Sequence, residues 1–227
     1  MKQKAGRARG QMSEAMITVL FLSLSGGLQD AYSYLSRGHV FANAQTGNIV
    51  LLSANIFSGS WAAAMHYLIP VLSFALGVLA SELIRFRFQH RSSVHWRQLV
   101  LLGEIALLFA VGFFPAALDM AANALVSFAC AMQVQAFRKV GGHPFASTMC
   151  IGNLRSGVEA LCAFVRTKNP NDLPRAARYF GVIFAFFLGA GLGSRLVPVL
   201  GHGTIWLSCA LLLCSLLLMI PGERKEK

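Results

Sequence analysis

The side chains able to do chemistry crowd into one stretch, Gly26 to Asn48, which reads GGLQDAYSYLSRGHVFANAQTGN. It carries Gln29, Asp30, Asn43, Gln45, Thr46 and Asn48 within the most apolar part of the chain. A carboxylate near the centre of a spanning helix costs about 2.5–3.5 kcal/mol, and amides at that depth need partners because no bulk water reaches them. Such a set can bind a proton, a cation or the cationic group of a solute through Asp30. Gln29, Asn43, Thr46 and Asn48 would supply neutral ligands. Pairing of Asp30 with Arg37, two turns on, is the purely structural alternative. Thr46 is placed to N-cap a half-helix whose amino end would face a ligand.

The stretch has an echo in Met132–Asn153, MQVQAFRKVGGHPFASTMCIGN. Setting Gln29 on Gln133 brings Gly38 onto Gly142 and Phe41 onto Phe145, and one extra residue puts Gly47-Asn48 on Gly152-Asn153. Val134 stands where Asp30 would recur, and Ile151 where Thr46 would. The chain reads as two related halves, residues 14–117 and 118–220, with the polar chemistry concentrated in the first. Gln133 is the second-half residue placed to join it.

The elements that must position these residues are membrane helices. The chain is 56% hydrophobic and only 13% charged, against about 25% charged for soluble domains. Its apolar runs exceed the length of a globular core helix, which makes it an all-α polytopic membrane protein. The net charge of +11 does not point to nucleic acid, because the basic residues cluster in short loops beside apolar runs and no aromatic-basic motif accompanies them. Five cysteines with no CxxC pair read as packed thiols.

Residues 1–13 form a basic tail. Spans are expected at Glu14–Leu35, Trp61–Ile84, Gln98–Ala116, Met120–Phe137, Tyr179–Val197 and His202–Ile220, with a tail over 221–227. Asp30 lies ~24 Å along the first. Phe41–Ser58 and Phe145–Val165 are only half apolar. If neither crosses, almost every Lys and Arg falls on one side, leaving Arg37 and Arg195 on the other. If both cross, the loop Arg85–Arg97 moves to the far side and the bias weakens. The positive-inside rule therefore favours six spans plus two re-entrant or broken half-helices, with both termini cytoplasmic. Three crossings per half is odd, so the second copy must be inverted relative to the first. Eight spans in a parallel repeat are the alternative.

Gly26 and Gly27 weaken the first span or let another backbone approach, and Gly47 and Gly152 open the half-helices. Gly181, Ala185, Gly189 and Gly193 recur every four residues, as do Ser73, Gly77 and Ser81, which marks close-packing faces. Glu104 is expected to snorkel to the interface or pair with an arginine, Glu82 to pair with Arg85, and Arg155 with Glu159.

GGLQDAYSYLSRGHVFANAQTGNIVLL resembles the opening signature of the YoaK-type bacterial membrane proteins, a family of unknown function, and AMQVQAFRKVGG resembles its second signature. The resemblance implies a bacterial inner-membrane location and brings no substrate or activity. No catalytic set, metal-ligand spacing or cofactor motif appears, so neither an enzyme nor a bound cofactor is expected. The leading expectation is a small secondary transporter for a low-molecular-weight solute, coupled to H⁺ or Na⁺ through Asp30. A non-transporting assembly or regulatory partner is the second. The lipid bilayer is the expected partner, and the small-residue faces leave a homo-oligomer open.

Overall fold

The structure, a computed structural model, describes residues 15–89, 95–140 and 143–223. The basic tail 1–13, Gly142, the centre of the 85–97 loop and the last four residues lie outside them. Eight α-helices follow in order: α1 Met16–Ser36, α2 Gln45–Phe57, α3 Trp61–Phe88, α4 Trp96–Val111, α5 Asp119–Ala136, α6 Cys150–Thr167, α7 Asp172–Leu200 and α8 Ile205–Glu223. Pro221, Gly222 and Glu223 thus extend the last helix instead of starting a tail. A hairpin of two-residue strands, β1 Lys139–Val140 and β2 His143–Pro144, is a departure from the all-helical expectation.

Stretches long and apolar enough to cross a bilayer are Trp61–Phe88, Ala116–Ala136 and Asp172–Ile220, the last carrying α7, the turn at Gly201 and most of α8. The other helices fall short for physical reasons. In α1, Gln29, Asp30 and four serines dilute the apolar half. α4 has 16 residues, about 24 Å. α2 has 13, about 20 Å against a core of about 30 Å. α6 carries Arg155, Glu159 and Arg166. Apolar side chains cover the outer faces: Phe57, Trp61, Phe86, Ile151 and Val199 are all exposed. An apolar surface of that extent is a contact surface, and lipid is its natural cover.

α1 and α5 form the antiparallel centre. Leu22, early in α1, accepts a hydrogen bond from Gln133 near the end of α5, while Arg37, just past α1, contacts Asp119 and Asn123 at the start of α5. α1 packs on α7 and α8, α5 on α3 and α4, α4 on α8, α2 on α3, and α6 on α7. Exchanging the first four helices with the last four reproduces this set of pairs.

The two main crossings also repeat in detail. A Cβ at Gly189 would strike the Leu24 carbonyl oxygen, and one at Gly77 the Phe128 carbonyl oxygen. One turn on, Gly193 sits against Leu28, and Ser81 Oγ donates to the Met132 carbonyl. A Cβ at Gly27 would strike the Phe186 carbonyl. Gly26 and Gly27 lie inside an unbroken helix, so their role is close approach, as for Gly189 and Gly193.

After α1 the chain turns back. Asn43 bonds Asp30 and the Gly26 carbonyl, well inside the end of α1 at Ser36. α2 starts there, and α3 begins beside the outer end of α1, where His66 Nε2 lies 2.9 Å from Gly38 O. The second half does the same from the opposite end. Thr148 packs on Gly26 just before α6, and early in α7 Tyr179 Oη donates to Pro144 O near the end of α5.

Candidate functional site

The two returning segments meet. A cavity of about 920 Å³ is lined by 43–46 at the start of α2 and 148–152 at the start of α6, with walls from α1, α3 and α7. Asp30 lines it at one side, 7% exposed. Its Oδ1 accepts from the Asn43 backbone N–H at 2.8 Å and from Asn43 Nδ2 at 3.4 Å. Asn43 thus splints the carboxyl to the returning strand, a charge-assisted contact stronger than a neutral one.

Of the six residues expected to bind, Asp30, Asn43 and Thr46 reach the cavity, with Gln45. Gln29 does not. Adjacent residues on a helix point about 100° apart, and Gln29 turns into the core, where its Nε2 donates to Ser25 Oγ and to Glu104 Oε1 while its Oε1 accepts from Cys130 Sγ. Gln133 also turns inward, donating to Ser147 Oγ at 2.8 Å.

Thr46 does not cap α2: the cap residue is Ala44, with no side-chain cap bond. Asn48 does the local work instead. Its Nδ2 donates to Phe41 O at 2.7 Å and its Oδ1 accepts from Phe41 N at 3.2 Å, tying the turn down. Asn153 makes the same pair of bonds to Ala146. Gly47 has Phe41 against it, whereas a Cβ at Gly152 would meet open space, so close packing is not the role of Gly152. Replacing Asn48 with Ala strands both polar groups of Phe41, a loss of about 1–3 kcal/mol. Hydrogen exchange is expected to quicken across residues 41–45 while the helical crossings stay protected.

Of four electrostatic assignments, two change and two hold. Arg37 pairs not with Asp30 but with Asp119, Nη1 to Oδ1 at 2.7 Å. Glu104 neither snorkels nor meets an arginine: it is fully buried, bonded to Gln29 through Oε1, with Oε2 unpartnered among the described residues. Glu82 does pair with Arg85, and Arg155 with Glu159 at 2.9 Å.

A second, basic cavity of about 580 Å³ lies at the other end of α5, lined by Arg85, Arg97, Arg138 and Lys139 with His95. Burial, and then Arg97, hold the His95 imidazole below its usual range.

No solved structure matches the chain. It is 27% identical over 212 residues to the protein printed as "UPF0700 transmembrane protein YoaK" of Bacillus subtilis (strain 168), an alignment covering 89% of this chain and 94% of that protein. Residues 18–218 match the family described as "Protein of unknown function (DUF1275)". That match begins within α1 and ends within α8, takes in both returning segments and the cavity between them, and places the chain in this family of membrane proteins.

Proposed function

We propose that the chain is a small secondary transporter of the bacterial inner membrane, moving a low-molecular-weight solute coupled to H⁺ or Na⁺ through Asp30. The cavity carries the reading. It lies where the starts of α2 and α6 meet from opposite ends of the bundle, beside a buried carboxyl among apolar side chains, where an ionisable group marks a functional site by default. In this reading the protein is an inverted duplication with six crossings, α2 and α6 are re-entrant, and the more polar α1 and the shorter α4 complete the set by crossing with protein packed against them. The antiparallel α1 and α5, the repeated crossings and the 13-residue α2 support it, as does the exposed Arg155–Glu159 pair on α6, which lipid would not accept. Both termini are assigned to the cytoplasm, because the basic cavity gathers Arg85, Arg97, Arg138 and Lys139 at the end of the bundle where α1 begins.

An assembly or regulatory partner would need small-residue faces exposed for its contacts. Ala185, Gly189 and Gly193 are instead turned inward on α7, which favours the transporter.

The test is gradient-driven flux in proteoliposomes with a pH-sensitive dye inside, across a panel of cationic, neutral and anionic solutes. Asp30→Asn keeps the Asn43 splint in shape and removes the charge. The gradient-dependent part of the flux is expected to fall at least about tenfold, a barrier change of about 1.4 kcal/mol. A flux whose size and coupling survive Asp30→Asn would remove Asp30 from the mechanism.

A further inference from the structure

We infer that the cavity takes a primary ammonium group carried on an apolar body, an assignment of substrate class that rests on the transport reading above. Three observations point there independently.

The charge inventory comes first. Among the lining residues, Asp30 is the only Asp, Glu, Lys, Arg or His. An occupant with one positive charge balances the site, whereas an anionic occupant would face a carboxylate with no cation to offset it.

The walls come second. Tyr34 and Phe41 stack at 4.6 Å, and with Leu35, Phe74, Met149 and Phe186 they make the cavity mostly apolar. Its size, about 920 Å³, lies at the upper end of small-molecule sites of about 300–1,000 Å³. A proton or a bare sodium ion would leave nearly all of that wall unused. An ammonium beside aromatic faces gains cation–π attraction while its hydrocarbon part fills the rest.

The third observation decides between kinds of ammonium. Asn43 Nδ2 donates to Gly26 O and to Asp30 Oδ1, both acceptors, which fixes the amide orientation. Asn43 Oδ1 is then left buried with no partner, and so is Thr148 Oγ1 from the other half. Both residues line the cavity. Oxygens of cavity-lining side chains from both halves thus lack a donor. A primary ammonium brings three donors; a quaternary one brings none.

Two sources carry this head group, a free amphiphilic amine and the ethanolamine of a phospholipid. The experiment uses 4-phenylbutylamine, its N-trimethyl analogue, 4-phenylbutanol and 4-phenylbutyrate, titrated calorimetrically into the purified full chain in phosphatidylcholine nanodiscs. The amine is expected to bind about tenfold more tightly than the alcohol and the trimethyl compound, with the carboxylate weakest. Asp30→Asn should bring the amine down to the level of the alcohol. Thr148→Val, which keeps the packing on Gly26, should weaken the amine severalfold, so the test does not hang on one variant.

Exchanging phosphatidylcholine for phosphatidylethanolamine separates the sources. Competition with the amine identifies the lipid head group as occupant, and its absence the free amine; either result supports the assignment. Equal binding of alcohol or carboxylate, or of the trimethyl analogue, overturns it. Amine binding that depends on Asp30 without any flux would sink the transport reading alone. An Asp30-dependent flux confined to neutral or anionic solutes would sink the ammonium alone.

Discussion

Replacing Arg37 with Met is expected to lower the melting temperature of the detergent-solubilised protein by on the order of 10 °C, more than any other single change to a polar side chain. Arg37 is fully buried and each of its forks is engaged. Nε donates to Tyr32 Oη at 2.8 Å, Nη1 to Asp119, and Nη2 to the carbonyls of Val111 and Phe114 at 3.2 and 2.9 Å. Val111 closes α4 and Phe114 follows it, so the guanidinium ties the end of that helix to α1 and α5. Removing one partner of a buried ion pair typically costs about 3–5 kcal/mol, and the partly exposed Asp119 puts this pair at the lower end of that range. Lysine at 37 should not rescue, since a single ammonium cannot span acceptors set around a planar fork. Asp119→Asn, which keeps the carbonyl contacts, is expected to lose less than half as much. Equal stability of wild type and Arg37→Met in a thermal scan would show that the clamp contributes nothing.

Gly189→Val should yield no folded protein at all. The new Cβ would occupy the position of the Leu24 carbonyl oxygen, and backbone within a helix cannot move aside as a side chain can. α1 and α7 would have to separate, undoing the fit at Gly27 and Gly193 as well. Overpacking ordinarily costs about 1–3 kcal/mol where side chains can adjust, and here they cannot. Gly152→Ala is the matched control, since its Cβ meets nothing within 4 Å. Monodisperse elution on size exclusion should be lost for the first and kept for the second. If Gly189→Val elutes as wild type, the close approach of α1 and α7 is wrong.

Much of this arrangement is legible in the sequence, for reasons that differ by residue. The four-residue spacing of Ala185, Gly189 and Gly193 announces a close-packing face because helical geometry alone sets that period. Asp30 with Asn43 and Thr46 emerges because polar groups in an apolar stretch must find one another. Gln29 fails as a cavity ligand on equally local grounds, since a neighbour of Asp30 on one helix faces elsewhere. Asn48 is assigned to a ligand set, and its reach back to Phe41 depends on a turn that composition does not dictate.

Glu104 is the instructive miss. Its distance along the chain from Arg97 suggests an interface, yet Val100, Leu101, Glu104, Leu108 and Val111 form one buried stripe, a pattern that could have placed it inside. Arg37 leaves no comparable trace, because its partners come from the end of α4 and the start of α5, far along the chain.

The tightest contacts in the molecule also constrain how it is made. α1 locks into α7, and α3 into α5, so each notched surface is matched by one from the other half of the chain. A nascent polypeptide stopped after α4 holds α1 and α3 without the helices whose backbones they meet most closely. The crossing of α1 with α7 forms only once α7 has left the ribosome.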